Sequence, residues 1–351
     1  MTLIKDSDSP VVSDVPVRER RGTPLSVRLG VAMAVVVGGV LVAPNLSNHE
    51  LYIGTTILVW ALVASSLNIS VGYAGQLNLA QGGFLALGAY IGVLGTGQWG
   101  WPGLLTLAVA AGSAGAIAAI LGLFIFRAKG LHFALLTTGI TIVVYNVLIA
   151  WSSVTGGAAG ISTAGPIEDG GRIAPLTLLG LSIHTAEEWF LVMLIGLVLL
   201  VLALTFVNRH KQGLSWQAIR DNETLSASVG IDVAKGKRRA FVASAVLASL
   251  VGVLFGHWLG FITPGSFNFA EASFEPLAMV IIGGAGTLLG PIVGAIIVVG
   301  SPEIFRDLDS VSTLVYGAVL LLVVMLAPKG IVGLGKNLLT KAWNALRKER
   351  P

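Results

Sequence analysis

Residues 51–71 read LYIGTTILVWALVASSLNISV, and the chain runs on as GYAGQLNLAQ to residue 81. The first stretch carries no Asp, Glu, Lys or Arg. A helix crossing the hydrocarbon core of a bilayer needs about 20 apolar residues. In lipid the backbone must satisfy its own polar groups, so such a run is helical. The second stretch is rich in glycine, amides and a tyrosine, where a membrane helix breaks. These two readings together decide the fold class.

Working outward, uncharged runs recur at 29–43 (short), 79–95, 103–126, 133–151, 189–207, 241–262, 277–300 and 311–327. Apolar residues make up 54% of the chain and charged residues 11%. Soluble domains carry roughly a quarter charged residues. So few charges cannot cover a water-facing surface, and most of the solvent must be lipid. Cysteine is absent, which removes disulfides, thiolate metal sites and cysteine nucleophiles. The plentiful glycine suits close helix packing in membranes. The fold expected is an all-α polytopic bundle.

Loop charge orients the spans, because basic loops stay in the cytoplasm. Residues 1–28 hold Lys5, Arg18, Arg20, Arg21 and Arg28 among polar residues and read as a disordered cytoplasmic tail. Arg127, Lys129 and His132 mark a second inner turn. Loop 152–188 carries Glu168, Asp169, Glu187 and Glu188 against Arg172, and reads as external. Loop 208–240 carries seven Lys/Arg against three acids, and reads as internal. Residues 336–351 form a basic inner tail. The membrane domain is 29–335.

The count of spans fails at one place. If 277–300 were one straight span, the basic C-terminus would lie outside. The following stretch, with Glu303, Asp307 and Asp309 against Arg306, reads as external. Residues 277–300 must therefore enter and leave on one side. Their middle, Gly283-Gly284-Ala285-Gly286-Thr287-Leu288-Leu289-Gly290-Pro291, is where the helix breaks. About eight full spans plus one broken or re-entrant element result. The earlier break, Gly72-Tyr73-Ala74-Gly75-Gln76-Leu77, matches Gly283–Leu288 at four of six positions. Paired interrupted segments point to a repeat and a solute path, and chance matching of common Gly and Ala is the other reading.

No metalloprotease, P-loop or serine-hydrolase motif occurs, so the chain has no ATPase site of its own and bears no catalytic residues. No two of its five histidines stand at metal-ligand spacing, and no metal site is expected. His257, alone among them inside a span, is either a proton relay or an interfacial residue. Asn68, Ser70, Tyr73, Gln76, Asn78 and Gln81 cluster at the first break. Neutral amides and a phenol offer donors and acceptors to a zwitterion, or else they cap helices and bond between them. A candidate path therefore comprises Asn68, Tyr73, Gln76, Asn78, Gln81, Gly283, Gly284, Gly286 and Thr287. Asn146, Trp151, Ser152, Thr155 and Gly156-Gly157 form a second group at an outer helix end, suited to docking or anchoring. In the inner loop, residues 216–229 are predicted as one short helix, with Trp216, Ile219, Leu225 and Val229 on its apolar side and Gly230 as its C-cap. It would lie on lipid or dock in a partner's groove.

These segments resemble the branched-chain amino acid ABC permeases, the LivM-type subunit more than the LivH-type. The matching stretches are GYAGQLNL at 72–79, FLALGAY at 84–90, Thr155-Gly156-Gly157 with Gly160-Ile161, and AIRDNE at 218–223 with Gly230-Ile231. Further on come FITP at 261–264 with Ser266-Phe267, and the 283–291 run. The family often has Gly-His where this chain has Ala80-Gln81, Ala-Ala where it has Leu225-Ser226, and an aromatic at His132. The resemblance implies an ABC importer permease fold in a bacterial inner membrane, with both termini cytoplasmic. It implies a homologous LivH-type permease partner, two cytosolic ATPase subunits of LivG/LivF type that use ATP and Mg, and an external solute-binding protein. No nucleic acid is implied. Residues 218–230 look like the coupling helix on an ATPase, with Trp216, Ala218, Arg220, Asp221, Glu223 and Gly230 in that role. Branched-chain or related hydrophobic amino acids are the implied cargo, with urea, short amides or another small polar solute as the alternative. An ion-coupled secondary transporter is a further class. It needs ion-binding polar groups within spans; the apolar runs hold no carboxylate, though backbone carbonyls can bind sodium.

Overall fold

The structure, a computed structural model, describes residues 25–126, 130–163, 176–178, 181–304, 317 and 330–334. Twelve α-helices lie among them. The first five are α1 (Leu25–Val42), α2 (Asn48–Asn68), α3 (Gln81–Val93), α4 (Gly103–Ile125) and α5 (Leu131–Ala150). Then come α6 (Ser152–Thr155), α7 (Ala186–Val207), α8 (Lys211–Asp221) and α9 (Glu223–Ser228). The series ends with α10 (Val233–Leu259), α11 (Glu275–Gly283) and α12 (Gly290–Ile304). Wide π-type turns prolong α2 through Ile69–Tyr73 and α3 through Leu94–Gln98. Two small ribbons are the only sheet among the described residues. β1 (Ile161–Ser162) pairs with β4 (Phe261–Ile262), and β2 (Leu176–Leu178) with β3 (Leu181–Ile183). The sequence's all-α reading therefore holds.

Five of the described helices are long and apolar enough to cross a membrane: Asn48–Tyr73, Gly103–Ile125, Leu131–Ala150, Ala186–Val207 and Val233–Leu259. The 79–95 run becomes a shorter α-helix of 13 residues, prolonged by its wide turn. It is walled by protein on nearly every side, so it need not match the bilayer alone. The 311–327 run, the Arg127 turn, the acidic centre of loop 152–188 and both chain tails lie outside the described residues, save for 25–28, which open α1, and residue 317.

The core forms where α2, α3 and α10 cross. Gly88 of α3 faces the backbone of Ser249, and Gly252 of α10 faces the backbone of Leu85. A Cβ at either position would overlap a main-chain carbonyl, so the two helices touch backbone to backbone. Outside this core, α4, α5 and α7 expose Leu104, Ile120, Phe124, Leu135, Val143 and Leu199, an apolar belt suited to lipid or a sister subunit.

The 277–300 region folds as the span count requires. Its two helices are α11 and α12, separated by 284–289. Gly283 meets Gly290 and Gly294 meets Met279, so α11 and α12 lie antiparallel as a tight hairpin. The hairpin runs alongside α2. His49, at the start of α2, bonds Glu303 near the end of α12 at 2.9 Å. Gly286, at the hairpin tip, meets Asn68 and Gly72 at the other end of α2. The tip therefore lies at the α8 end of the bundle. Aromatic residues gather at the opposite end, where Tyr52 stacks on Trp258 and Trp99 lies tilted against Trp101, as at a membrane interface.

Gly252→Val inserts a branched side chain where two backbones touch, and overpacking of this kind costs about 1–3 kcal/mol. The variant is expected to melt well below the parent in detergent. Gly112→Val, in a position with nothing within 4 Å, serves as the control and leaves the midpoint unchanged.

Candidate functional site

The two helix breaks meet. At the first, α2 ends in its wide turn, and the carbonyl of Gly72 is left at the negative end of the helix. At the second, the chain between α11 and α12 turns through Gly284 and Gly286, the latter at φ 76°. Asn68 stitches them together. Its Nδ2 donates to the Thr287 carbonyl at 2.9 Å, and its Oδ1 accepts from the Gly286 N–H at 2.9 Å. Gly72 lies so close to the Gly286 backbone that a Cβ would overlap it. Thr287 braces the turn from within, donating to the Gly284 carbonyl at 2.8 Å and accepting from Gly290 N–H at 3.0 Å.

Arg220 closes this seam from α8. Its Nη1 donates to the Gly72 carbonyl at 2.7 Å, a charge-assisted bond at a helix C-terminus. Gly75, at φ 69°, passes within 2.9 Å of the Arg220 stem as measured from an added Cβ, and Gly286 lies against the guanidinium. Glycine is required at both places because a side chain would displace the arginine. Asp221, with its side chain 70% exposed, also bonds Arg220, at 3.3 Å; such an open pair contributes little. Residues assigned separately to path and coupling thus share one cluster.

The other candidate path residues are also buried. Gln81, at the start of α3, donates to Ser66 at 2.6 Å and accepts from Ser244 at 3.1 Å, joining α2, α3 and α10. Asn78 Oδ1 accepts from Ala80 N–H at 2.9 Å and shapes the entry to α3. Gln76 accepts from Ser70 at 3.3 Å, while its Nε2 is buried with no partner among the described residues. Tyr73 faces Asn208 and Arg220. Gly283 packs on Gly290, and Gly330 packs on Gly284.

Sequence reasoning missed the partners of this region. Ser273 and Thr141 take the Gly82 and Gly83 amides at the start of α3, at 3.0 and 3.4 Å. Thr141 donates to the Leu79 carbonyl at 2.9 Å, and Thr137 accepts the Leu79 N–H at 3.1 Å. For Thr137 and Thr141 the only signal is a hydroxyl in an apolar run, and Ser273 stands between Glu271 and Glu275 with no signal of its own.

The single inner helix predicted for 216–229 is corrected to two. Asn222 takes an extended conformation (φ −160°, ψ 108°), ends α8 and caps α9 through its Oδ1 on Leu225 N–H at 3.0 Å. The turn re-aims the second half, so the predicted apolar side is split. Trp216 and Ile219 are buried, whereas Leu225 and Val229 are 62% and 69% exposed. Trp216 donates to the Gly236 carbonyl at 3.0 Å, Ala218 is half-buried, and Glu223 pairs with Lys237 of α10. Gly230, at φ 86°, ends α9 as expected, with the Gly230 and Ile231 amides on the Ala227 and Ser226 carbonyls.

At the opposite end, Thr155 bonds the Leu148 carbonyl at 2.5 Å and Asn146 its own helix, while Trp151 is exposed. Gly156, Gly157 and Gly160 lead into β1, which joins β4. His257 is buried, with Nδ1 on the Val253 carbonyl at 2.7 Å and Nε2 against Thr96 Oγ1 at 2.6 Å. Both nitrogens are engaged, so it bolts α10 to the wide turn of α3.

Comparison with known proteins places this geometry. The family described as "Branched-chain amino acid transport system / permease component" matches residues 50–327. The high-affinity branched-chain amino acid transport system permease protein LivM of Escherichia coli (strain K12) is 32% identical over 294 residues, 80% of this chain and 69% of that protein. LivM of Salmonella typhimurium is 31% identical over 315 residues, 86% and 74% of the two chains. The permease protein LivH of Escherichia coli (strain K12) is 26% identical over 302 residues, 81% and 95% of the two chains. No solved structure matches. A bundle of apolar helices with two glycine-rich breaks in contact, matched over most of its length, belongs to the family of permease components of branched-chain amino acid transport systems.

Proposed function

We propose that this chain forms half of an ATP-driven import path for branched-chain amino acids, and that the Asn68–Gly286–Arg220 seam is its cytoplasmic gate. The observation that carries the reading is the Arg220–Gly72 bond, which ties a loop helix directly to the break in a membrane helix. In this reading the α8 end faces the cytoplasm of a bacterial inner membrane, as its basic loop requires. A LivH-type subunit supplies the other half of the path. Two ATPase subunits bind ATP and Mg below, and a solute-binding protein delivers cargo from outside.

The exposed Leu225 and Val229 of α9 suit the groove of an ATPase subunit. When that subunit moves α8 and α9, Arg220 withdraws from the Gly72 carbonyl. The seam then rests on the two Asn68 bonds alone. Opening exposes the Asn68 amide, the Gly286 N–H and the Thr287 carbonyl. Those groups, with the spare Gln76 Nε2, match both ends of a zwitterion. A ligand shifts such an equilibrium only by its differential affinity for the two states. Cargo that replaces the seam's hydrogen bonds meets that condition.

Uptake into vesicles carrying this chain, its permease partner, both ATPases and the binding protein tests the reading, with leucine, urea and short amides compared. ATP-dependent leucine uptake is expected. ATP-dependent uptake of urea in its place moves the substrate, and ion-driven uptake by this chain alone overturns the reading.

Arg220→Ala removes a bond to a charged group, typically about 1.5–3 kcal/mol, or roughly tenfold to a hundredfold in an equilibrium. Leucine uptake is expected to fall by that order while ATP hydrolysis persists. Glu223→Ala loses only the pin to Lys237 and has the smaller effect. Coupling unchanged in Arg220→Ala sinks the gate assignment.

Asn68→Ala removes two hydrogen bonds, about 2 kcal/mol, and shifts the closed-to-open ratio about thirtyfold. Preloaded leucine should leak faster from such vesicles without ATP. Leakage equal to the parent's assigns Asn68 to packing alone.

A further inference from the structure

A cavity of about 650 Å³ opens between the start of α8 and the first turns of α10. Its lining includes His210, Lys211, Lys235 and Arg239. Asp232 is the one carboxylate in the lining, and it is engaged in capping the Lys235 N–H at 2.9 Å. Trp216 lies buried in its wall, fixed by its bond to the Gly236 carbonyl. Among the described residues the ion pairs are His49–Glu303, Arg220–Asp221 and Lys237–Glu223. Lys211, Lys235 and Arg239 are in none of them and are exposed. The amides at the start of α8 add to this field, since His210 gives them no side-chain cap.

Three cationic side chains against one carboxylate around a cavity, none of the three in an ion pair among the described residues, fit an anion. The position says which kind. The cavity's lining begins at His210, just past Val207, where the apolar span of α7 ends. Gly213 packs on the Val207 and Asn208 backbone, which folds α8 back against the end of that span. Phe206 and Leu214 flank the basic lining and are 63% and 56% exposed. The Phe206 ring lies 3.9 Å from the His210 ring, so the apolar and basic surfaces are continuous. A free phosphate uses only the basic part. A phospholipid uses both, its phosphate among the cations and its acyl chains along Phe206 and Leu214. Basic pockets at the ends of membrane helices hold anionic headgroups in this way.

We propose that this cavity is a binding site for the phosphate headgroup of an anionic glycerophospholipid, seated where the loop helix α8 leaves the bilayer. The lipid would join the end of α7, the start of α8 and the start of α10. It would therefore set the resting position of the helix that carries Arg220.

Each basic side chain near an anionic surface contributes about fivefold to binding, so removing two weakens it about thirtyfold. The test uses the purified full chain in neutral detergent, titrated with phosphatidylglycerol, phosphatidylcholine or inorganic phosphate, with bound molecules counted by native mass spectrometry. Phosphatidylglycerol should bind selectively and lose about thirtyfold in Lys235→Gln/Arg239→Gln. Lys211→Gln should lose about fivefold. Arg238→Gln makes the same charge change where the side chain packs over Gly122, and should bind as the parent does. Equal retention of the two lipids, or equal binding by parent and double variant, overturns the proposal. Inorganic phosphate that displaces phosphatidylglycerol at similar concentration makes this a soluble-phosphate site and overturns the lipid assignment. Protection of Lys235 and Arg239 from acylation and dicarbonyl labelling by the ATPase subunits, unaffected by lipid, gives these charges to a protein partner and overturns it too.

Discussion

A helix that breaks inside a membrane protein must find partners for the backbone groups it sets free, and the rest of this structure is arranged around two such breaks. In hydrocarbon those groups have no water to bond. Here a side chain at the first break satisfies the backbone of the second, and Arg220 satisfies the Gly72 carbonyl of the first. Asn68 is the one side chain that offers a donor and an acceptor at the needed spacing, and it meets a carbonyl and an N–H on a single turn of the facing hairpin. A hydroxyl donates and accepts from one atom, whereas the amide carries its donor and its acceptor on separate atoms and so reaches two backbone groups side by side. The close approach then demands glycine at 72 and 286, and the glycines in turn leave room for Arg220.

The two ends of the bundle are held by different means. At the aromatic end, β1 pairs with β4, Ser162 and Thr163 bond the Gly260 carbonyl, and His257 bolts α10 to α3. Capping boxes at Ser47 and Thr185 fix the starts of α2 and α7. At the α8 end, the seam rests on the Asn68 pair and one guanidinium. Side chains rather than strand pairing hold that seam, so it opens by exchanging a few hydrogen bonds. A path that changes access has reason to concentrate its change where the bonds can be exchanged one by one.

How much was legible follows from the range of each signal. The span 51–71 and the break at 283–291 could be read because length, charge and glycine are local properties, and the parity of the span count forced the hairpin. The contact between the breaks was not legible in that way. Residues 68 and 287 are 219 apart, and nothing local to either names the other. The partners of Gln81 were not legible for the same reason. Its partners, Ser66 and Ser244, are ordinary small residues in apolar runs, and only the crossing of three helices turns them into a polar junction. The inner loop misled by periodicity. Apolar residues at 216, 219, 225 and 229 suit one helical face, but Asn222 has both the conformation and the side chain to start a new helix. A cap there outweighs the continuity of a pattern of four.

That break at Asn222 bears on how a force would pass through the loop. One unbroken helix would swing its two ends in opposite directions about its middle. Two short helices behave differently, since α8 is anchored by Trp216 and Ile219 while α9 presents Leu225 and Val229 outward. The outward half can be held by a partner while the inward half holds the seam. Arg220 stands at the last turn of α8, next to the hinge. Of the bonds that α8 makes to the bundle, the one from Arg220 to Gly72 stands nearest that hinge, and the one from Trp216 to Gly236 lies further back. The bond to Gly72 is then the first contact to respond, and the anchored start of α8 the last.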